Sequence, residues 1–198
     1  MNTPRLYFLI PRLVNPELEN ASGGIISNIQ LIINLAKSFN IIVIPMIYSS
    51  NPFIGHDDSI RVIGVPFKAS GRLRYIIERY LLYKIRVGRV VEKYGKGAII
   101  TTRASISIGS KISKKNKYSH AIIVRAFEDM EQAGLMDYSD KVSILRRLEG
   151  LISKRNIIQC FLNSDLIITN SNFMKEFIKS KFSYTKKIFV IHPKISLL

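Results

Sequence analysis

Five short apolar segments of the sequence are each followed by residues that can bind or transform a ligand. In an open parallel sheet, ligands bind beyond the carboxyl ends of the strands, so these positions form a candidate site before any motif is considered. The candidate residues are Ser22, Gly23, Gly24, Arg103, Arg125, Glu128, Asp129, Asn170, Ser171, His192 and Lys194.

Carboxylates directly after an apolar strand are the candidates for catalysis. Glu128 and Asp129 lie in the segment Arg125 to Glu131, where they could hold sugar hydroxyls or act as a base. The alternative is a solvated loop that pairs with the basic surface, and the sequence leaves both interpretations open.

Gly23 and Gly24 precede an amphipathic segment that begins at Ile25. Glycine allows close approach of the backbone to a ligand, and the start of a helix offers free N–H groups to an anion. An ordinary loop before a helix explains the same residues. The sequence contains neither GxGxxG nor a Walker A pattern, which disfavours an ordinary dinucleotide or P-loop site.

The remaining reactive side chains give weaker signals. His192 is either a ligand or acid–base group or a structural histidine, and Cys160 lies on an apolar helix face where a buried, inert thiol is expected. No spacing of His, Asp or Glu supports a metal site, and one cysteine excludes a disulfide scaffold. We therefore expect neither a metal nor another cofactor.

Short apolar runs alternate with amphipathic segments along the chain. Strands are predicted at 6–10, 41–44, 60–65, 98–102, 121–124, 166–169 and 188–191, with Pro11, Pro45 and Pro66 ending the first three. Helices are predicted at 25–36, 71–94, 142–161 and 172–181, and 111–117 is expected to be a basic linker. This alternation predicts an α/β fold, a Rossmann-like parallel sheet with helices on both faces, in a single domain over 1–198.

The composition limits the class of protein. The chain has 198 residues, 30 Lys and Arg against 14 Asp and Glu, and a hydrophobic fraction of 47%. That fraction excludes a disordered chain. No signal peptide or membrane span is visible, so we expect a cytoplasmic protein, and the net charge of +16 predicts an anionic partner.

The basic helix predicted over 71–94 has three interpretations. Its apolar residues are Leu73, Ile76, Ile77, Tyr80, Leu81, Ile85 and Val91. In the first interpretation these residues pack in the core and the basic face is solvated. In the second the basic residues meet an anionic membrane, with Tyr75, Tyr80 and Tyr83 near the interface, and in the third they bind nucleic acid phosphates. No helix-turn-helix, zinc finger or RNP-type signature is present, so nucleic acid is the least favoured partner.

Three segments together resemble the N-terminal domain of a GT-B glycosyltransferase of family 4. The first is the strand, the Gly23-Gly24 pair and the helix ending Leu35-Ala36-Lys37. The second is Asn163 to Met174, similar to the family's "aD-x-ii-t-x-S-x-x-m" segment, and the third is Lys187 to Ile195. Their order and spacing extend over nearly the whole chain.

The resemblance implies two facing Rossmann-like domains with the active site between them. The first domain binds the acceptor, here a glycan or a lipid-linked molecule, and the second binds the nucleotide-sugar. Transfer is implied to retain the anomeric configuration without a metal. Gly23 and Gly24 would lie near the donor phosphates or the acceptor. Arg125 stands where many relatives have a histidine, which leaves Glu128 and Asp129 as the alternative catalytic groups.

The second domain has no counterpart in these 198 residues. The expectation is an acceptor-side half that works with a separate donor-binding chain, peripheral to the inner membrane face. The alternatives are an excised fragment, a small enzyme that completes its cleft as a homodimer, and a non-catalytic module for an anionic membrane or nucleic acid.

Overall fold

The computed structural model describes residues 3–14, 23–48, 58–65, 77–102, 105–125, 156 and 158–191. The elements in chain order are β1 (Arg5–Leu13), α1 (Gly23–Ala36), β2 (Asn40–Tyr48), β3 (Ile60–Val62), a π-helical turn (Glu78–Leu82) continuing into α2 (Tyr83–Tyr94), β4 (Ala98–Thr102), α3 (Ile106–Asn116), β5 (His120–Val124), a helical segment over 158–163, β6 (Leu166–Thr169), α4 (Asn172–Phe182) and β7 (Lys187–Val190). The predicted helical residues 71–76 and 142–155 lie outside the described ranges. None of the described helices has the length and apolar character needed to cross a membrane.

The seven strands of the described residues form one parallel sheet in the order β3-β2-β1-β4-β5-β6-β7. The order runs outward in both directions from β1, as in doubly wound Rossmann-like folds. The predicted fold class is therefore confirmed, including helices on both faces of the sheet.

Each face of the sheet is buried by different helices. On one face, α1 places Ile29, Ile32 and Ala36 against β-strand residues that include Phe8 and Val43. On the other, α2 and α3 pack on Tyr7, Leu9, Ile42, Ile44 and Ile99, and α4 and segment 158–163 pack on Ile122, Val124 and Ile167. Burial on both faces explains why the strands are apolar without alternation.

β1 and β2 continue through the two prolines that were expected to end them. The β1–β4 pairing stops at Leu9, whereas the β1–β2 pairing continues to Leu13 and Tyr48. Because the last pair lies four residues beyond Leu9, this two-stranded ribbon extends about 13 Å past the end of the β1–β4 ladder. The prediction that Pro11 and Pro45 end their strands is therefore wrong.

The direction of the backbone groups explains why these prolines are tolerated. Asn40 N–H donates to Pro4 O, so even-numbered residues of β1 and β2 direct their backbone groups towards each other. Ile41 N–H donates to Ser59 O, so odd-numbered residues of β2 face outward. Pro11 and Pro45 are odd-numbered, and their missing N–H groups would face the sides of the ribbon on which no described strand pairs at these positions.

The helix before β4 buries a different face from the predicted one. Tyr83, Val87 and Val91 are buried with Glu78, whereas the predicted core residues Ile77, Leu81 and Ile85 are 45%, 51% and 42% exposed. Tyr83 N–H donates to Glu78 O, five residues earlier, in the π-helical turn. One extra residue in a turn shifts the direction of all following side chains by about 100° around the helix axis. A pattern based on 3.6 residues per turn does not anticipate this shift. Of the predicted stripe, Val91 is confirmed as a core residue.

The expected basic linker over 111–117 is wrong, because Lys111 to Asn116 form the last turns of α3. Serine, glycine and β-branched residues have modest helix propensity, so the sequence pattern did not predict a helix here. The same small residues form its buried face, which includes Ser107, Gly109, Ser110 and Ser113. They allow α3 to lie close against β4.

Gly109 and Gly88 provide a matched test of this close packing. A Cβ at Gly109 would lie 2.1 Å from Thr101 Cγ2, whereas a Cβ at Gly88 would meet no atom within 4 Å. We expect Gly109→Ala to lower the free energy of unfolding by about 2 kcal/mol through overpacking. Gly88→Ala, also in a helix, should raise it by about 0.5–1 kcal/mol. Urea denaturation measures both, and equal effects of the two substitutions would contradict the close contact.

Candidate functional site

Strand register brings the predicted site positions to one edge of the sheet. Thr102 of β4 pairs with Ile123, Val124 of β5 pairs with Thr169, and Thr169 of β6 pairs with Val190. The carboxyl ends of these four strands therefore lie side by side. Residues that follow them, such as Arg125 and Asn170, must lie along the same edge.

Arg125 joins this edge to the first turns of α1. Its Nη1 donates to Asn28 Oδ1 at 2.6 Å and to Gly24 O at 3.3 Å. Two predicted site residues about a hundred positions apart in sequence, Gly24 and Arg125, are thus in direct contact. These two hydrogen bonds from Arg125 help to position α1, a role that the sequence did not indicate.

Asn28 is the partner that sequence reasoning missed. It is buried in α1 at 7% exposure, where a polar side chain needs a hydrogen-bond partner. Asn28 could have been recognised in the sequence, because it is a polar residue on a helix face that is otherwise formed by the apolar residues Ile25, Ile29 and Ile32. Its amide oxygen receives a charged donor, which is stronger than a neutral hydrogen bond.

The start of α1 leaves open space at Gly23. A Cβ built at Gly23 meets no atom of the described residues within 4 Å, and Gly23 is not among the positive-φ glycines. Neither contacts with the described residues nor backbone conformation therefore require glycine there. The free N–H groups and positive end of the helix dipole make this turn suitable for an anion.

Two buried hydroxyls were also missed by the sequence analysis. Thr102 Oγ1 and Thr169 Oγ1 have no hydrogen-bond partner among the described residues, although both side chains are at most 3% exposed. They occupy the last positions of β4 and β6, one residue before the predicted Arg103 and Asn170. Polar residues closing apolar strands were the signal for them.

Ser171 has a structural role as the N-cap of α4. Its Oγ accepts a hydrogen bond from Met174 N–H at 3.2 Å, as expected for a helix-capping serine. Asn170 is half-buried beside it. Contact of either residue with a ligand remains a prediction.

Six predicted site residues lie outside the described ranges: Ser22, Arg103, Glu128, Asp129, His192 and Lys194. Their place at the same edge remains an expectation from strand order. The described part of the site consists of the α1 start, Arg125 and the strand-end residues.

Two clefts lie at the opposite, amino edge of the sheet. One, of about 790 Å³, is lined by Arg5, Lys96, Lys117 and Tyr118, and a neighbouring one of about 250 Å³ by Arg61 and Tyr94. Neither cleft includes a predicted site residue. We favour the carboxyl edge because ligands of open parallel sheets bind there.

His120 is a buried histidine at the amino edge, where it begins β5. Its Nε2 lies 2.8 Å from Thr101 Oγ1, and its backbone N–H donates to Asp165 Oδ2 at 2.9 Å. Burial, only partly opposed by the Asp165 carboxylate, lowers the pKa of His120 from 6.5 to about 4. The imidazole is therefore neutral at physiological pH and contributes to the fold rather than to the site.

The fold of this chain is similar to one half of GT-B glycosyltransferases. A transferase from Siraitia grosvenorii, solved in complex with UDP, matches 98% of this chain at a TM-score of 0.63 and 12% identity. Sucrose-phosphate synthase from Thermosynechococcus elongatus matches 95% at a TM-score of 0.60 and 14% identity. A second solved chain of that synthase matches 96% at a TM-score of 0.54 and 16% identity.

The extent of these matches is itself informative. This chain covers 52% of the Siraitia grosvenorii transferase and 48% of the sucrose-phosphate synthase, and 90% of the second synthase chain. It therefore spans about half the length of the two larger structures. No family model matches the sequence, and no curated protein does. The similarity establishes the fold, and leaves family 4 an expectation.

The low pKa of His120 predicts an acid-dependent loss of stability. The unfolded chain binds this proton near pH 6.5 and the folded chain only near 4, so the stability is fully present above 6.5 and falls as the pH decreases towards 4. Between pH 7 and pH 5 we expect protonation of this histidine in the unfolded chain to lower the free energy of unfolding by about 2 kcal/mol. Denaturant titrations at pH 7 and pH 5 measure this decrease in the free energy of unfolding. The decrease should be about 2 kcal/mol smaller in His120→Gln, which lacks the titrating group. Equal losses in both proteins would show that His120 titrates normally.

Proposed function

We propose that this chain is the acceptor-binding half of a glycosyltransferase that takes its sugar from a nucleotide-sugar. The observation that carries the proposal is the contact of Arg125 with the start of α1 at the carboxyl edge of a sheet that matches one GT-B half. A helix start and a guanidinium at one edge suit a ligand with anionic or polar oxygens.

The neighbouring structures support a nucleotide-sugar as the donor. The Siraitia grosvenorii transferase was solved with UDP, and Arabidopsis thaliana UGT89C1 with UDP-L-rhamnose, the latter matching this chain at a TM-score of 0.53. A second, donor-binding domain, whether in the same polypeptide or in a separate chain, would complete the cleft. A homodimer that completes the cleft is the alternative arrangement.

Roles for the remaining site residues follow from this proposal. Gly23 and Gly24 allow the sugar or phosphate oxygens to approach the backbone, and Thr102, which shares the α1 face of the sheet with its strand neighbour Ile123, offers a hydroxyl to the acceptor. Glu128 or Asp129 acts as the acid–base group or holds sugar hydroxyls. Retention of configuration without a metal belongs to this proposal through the family resemblance.

Substitution of Gly23 separates function from folding. Because a Cβ at Gly23 meets open space in the described structure, Gly23→Val should leave the free energy of unfolding within about 1 kcal/mol of wild type. The added side chain should nevertheless block close approach of a ligand to the helix start and lower transfer by about tenfold or more. Transfer of radiolabelled sugar by the complex purified from native cells is the measurement.

Arg125 gives a second variant for the same assay. Arg125→Gln removes a charged hydrogen bond to Asn28 and should lower kcat/KM about tenfold or more. Gly88→Ala, in α2 away from the carboxyl edge, is the control and should retain full transfer. Normal transfer by both site variants would refute the proposed site, and full transfer by the purified single chain would show that no separate donor-binding chain is needed.

A further inference from the structure

Four large apolar side chains lie exposed on one face of the helical residues 77–94. Ile77, Leu81, Leu82 and Ile85 are 45%, 51%, 42% and 42% exposed. Their spacing of four, one and three residues places them on adjacent turns of one face. We call these four residues the apolar stripe.

The exposed charge beside the apolar stripe is positive. Lys84, Arg86, Arg89 and Lys93 lie on the same helical segment, which carries two carboxylates, Glu78 and Glu92. Glu78 is buried and pairs with Arg86, and Glu92 pairs with Lys115 at 2.7 Å. Among the described residues, these two carboxylates form their ion pairs with Arg86 and Lys115 rather than with Arg89 or Lys93.

The apolar stripe lies in the half of the molecule that contains the site. The end of α2 is at the amino edge, where Arg5 donates to Tyr94 O and Tyr7 Oη donates to Val91 O at 3.1 Å. At 1.5 Å per residue, Leu81 is about 20 Å from Tyr94 along the helix axis. Because this helix returns from β3 to the parallel strand β4, its first turns lie towards the carboxyl edge.

We infer that the apolar stripe docks on an anionic membrane surface, with Ile77, Leu81, Leu82 and Ile85 entering the headgroup boundary and the neighbouring cations contacting anionic lipids. Interfacial helices combine an apolar face with lysine and arginine in this way. A second copy of this chain is a poor occupant, because each copy carries a net charge of +16. The buried Tyr83, considered for the interface from the sequence, takes no part.

Vesicle co-sedimentation tests this inference without any transfer assay. The full chain is mixed with vesicles of phosphatidylcholine alone and with vesicles containing about a third phosphatidylglycerol, at low and high salt. We expect binding to the anionic vesicles only. Leu81→Ser with Ile85→Ser should lower the partition coefficient about tenfold or more, since two apolar side chains no longer enter the membrane.

Matched controls distinguish insertion from general attraction of a basic protein. Ile33→Ser with Phe189→Ser changes two side chains of similar exposure, 38% and 47%, on other elements, and should alter binding less than about twofold. Lys84→Gln with Arg89→Gln should weaken binding more than Lys179→Gln with Lys181→Gln, which removes equal charge from α4. Should Leu81→Ser with Ile85→Ser fail to fold, Ile77→Ser with Leu82→Ser tests the same face.

Two results would overturn the inference. Undiminished vesicle binding by the apolar-stripe variants would show that net charge alone attracts the protein. A concentration-dependent dimer that these variants dissociate, with no vesicle binding by wild type, would show that a second copy covers the stripe.

Discussion

A parallel sheet exists only if every connection returns across one of its faces, and this constraint determines the rest of the molecule. Each return places a helix antiparallel to the strands, so helix starts and strand ends gather at one edge. The contact between Arg125, at the end of β5, and Gly24, at the start of α1, is a direct consequence. The opposite edge collects helix ends and lysines, including Lys93, Lys96, Lys115 and Lys117.

Much of the sheet could be predicted because buried parallel strands are recognisable as short apolar runs. The segments 98–102, 121–124 and 166–169 were placed correctly, and β1 and β2 were found but ended too early at Pro11 and Pro45. Whether a proline interrupts a ladder depends on which side its nitrogen faces, and that depends on the neighbouring strands. This is tertiary information that a single segment does not contain.

The helices show the opposite limitation. α3 was missed because Ser107, Gly109 and Ser110 suit a close contact with β4 better than they suit an isolated helix. Ile77, Leu81 and Ile85 were assigned to the core because regular helical periodicity does not anticipate the π-helical turn, which shifts the buried face of the helix that follows it. For the site, the binding rule for open parallel sheets predicted that Gly24 and Arg125 would lie beyond strand ends at one edge. Their contact, and the part played by Asn28, Thr102 and Thr169, became visible only through hydrogen bonding and burial.

The outward-facing prolines of the β1–β2 ribbon also affect how this protein behaves in a crowded solution. The unpaired side of a strand invites pairing with a strand from another molecule, which is a route to aggregation. At Pro11 and Pro45 the ribbon offers no N–H group on either outer side, so an incoming strand could not form a continuous ladder there. The residues that seemed to end these strands therefore limit unwanted association where the ribbon extends beyond the rest of the sheet.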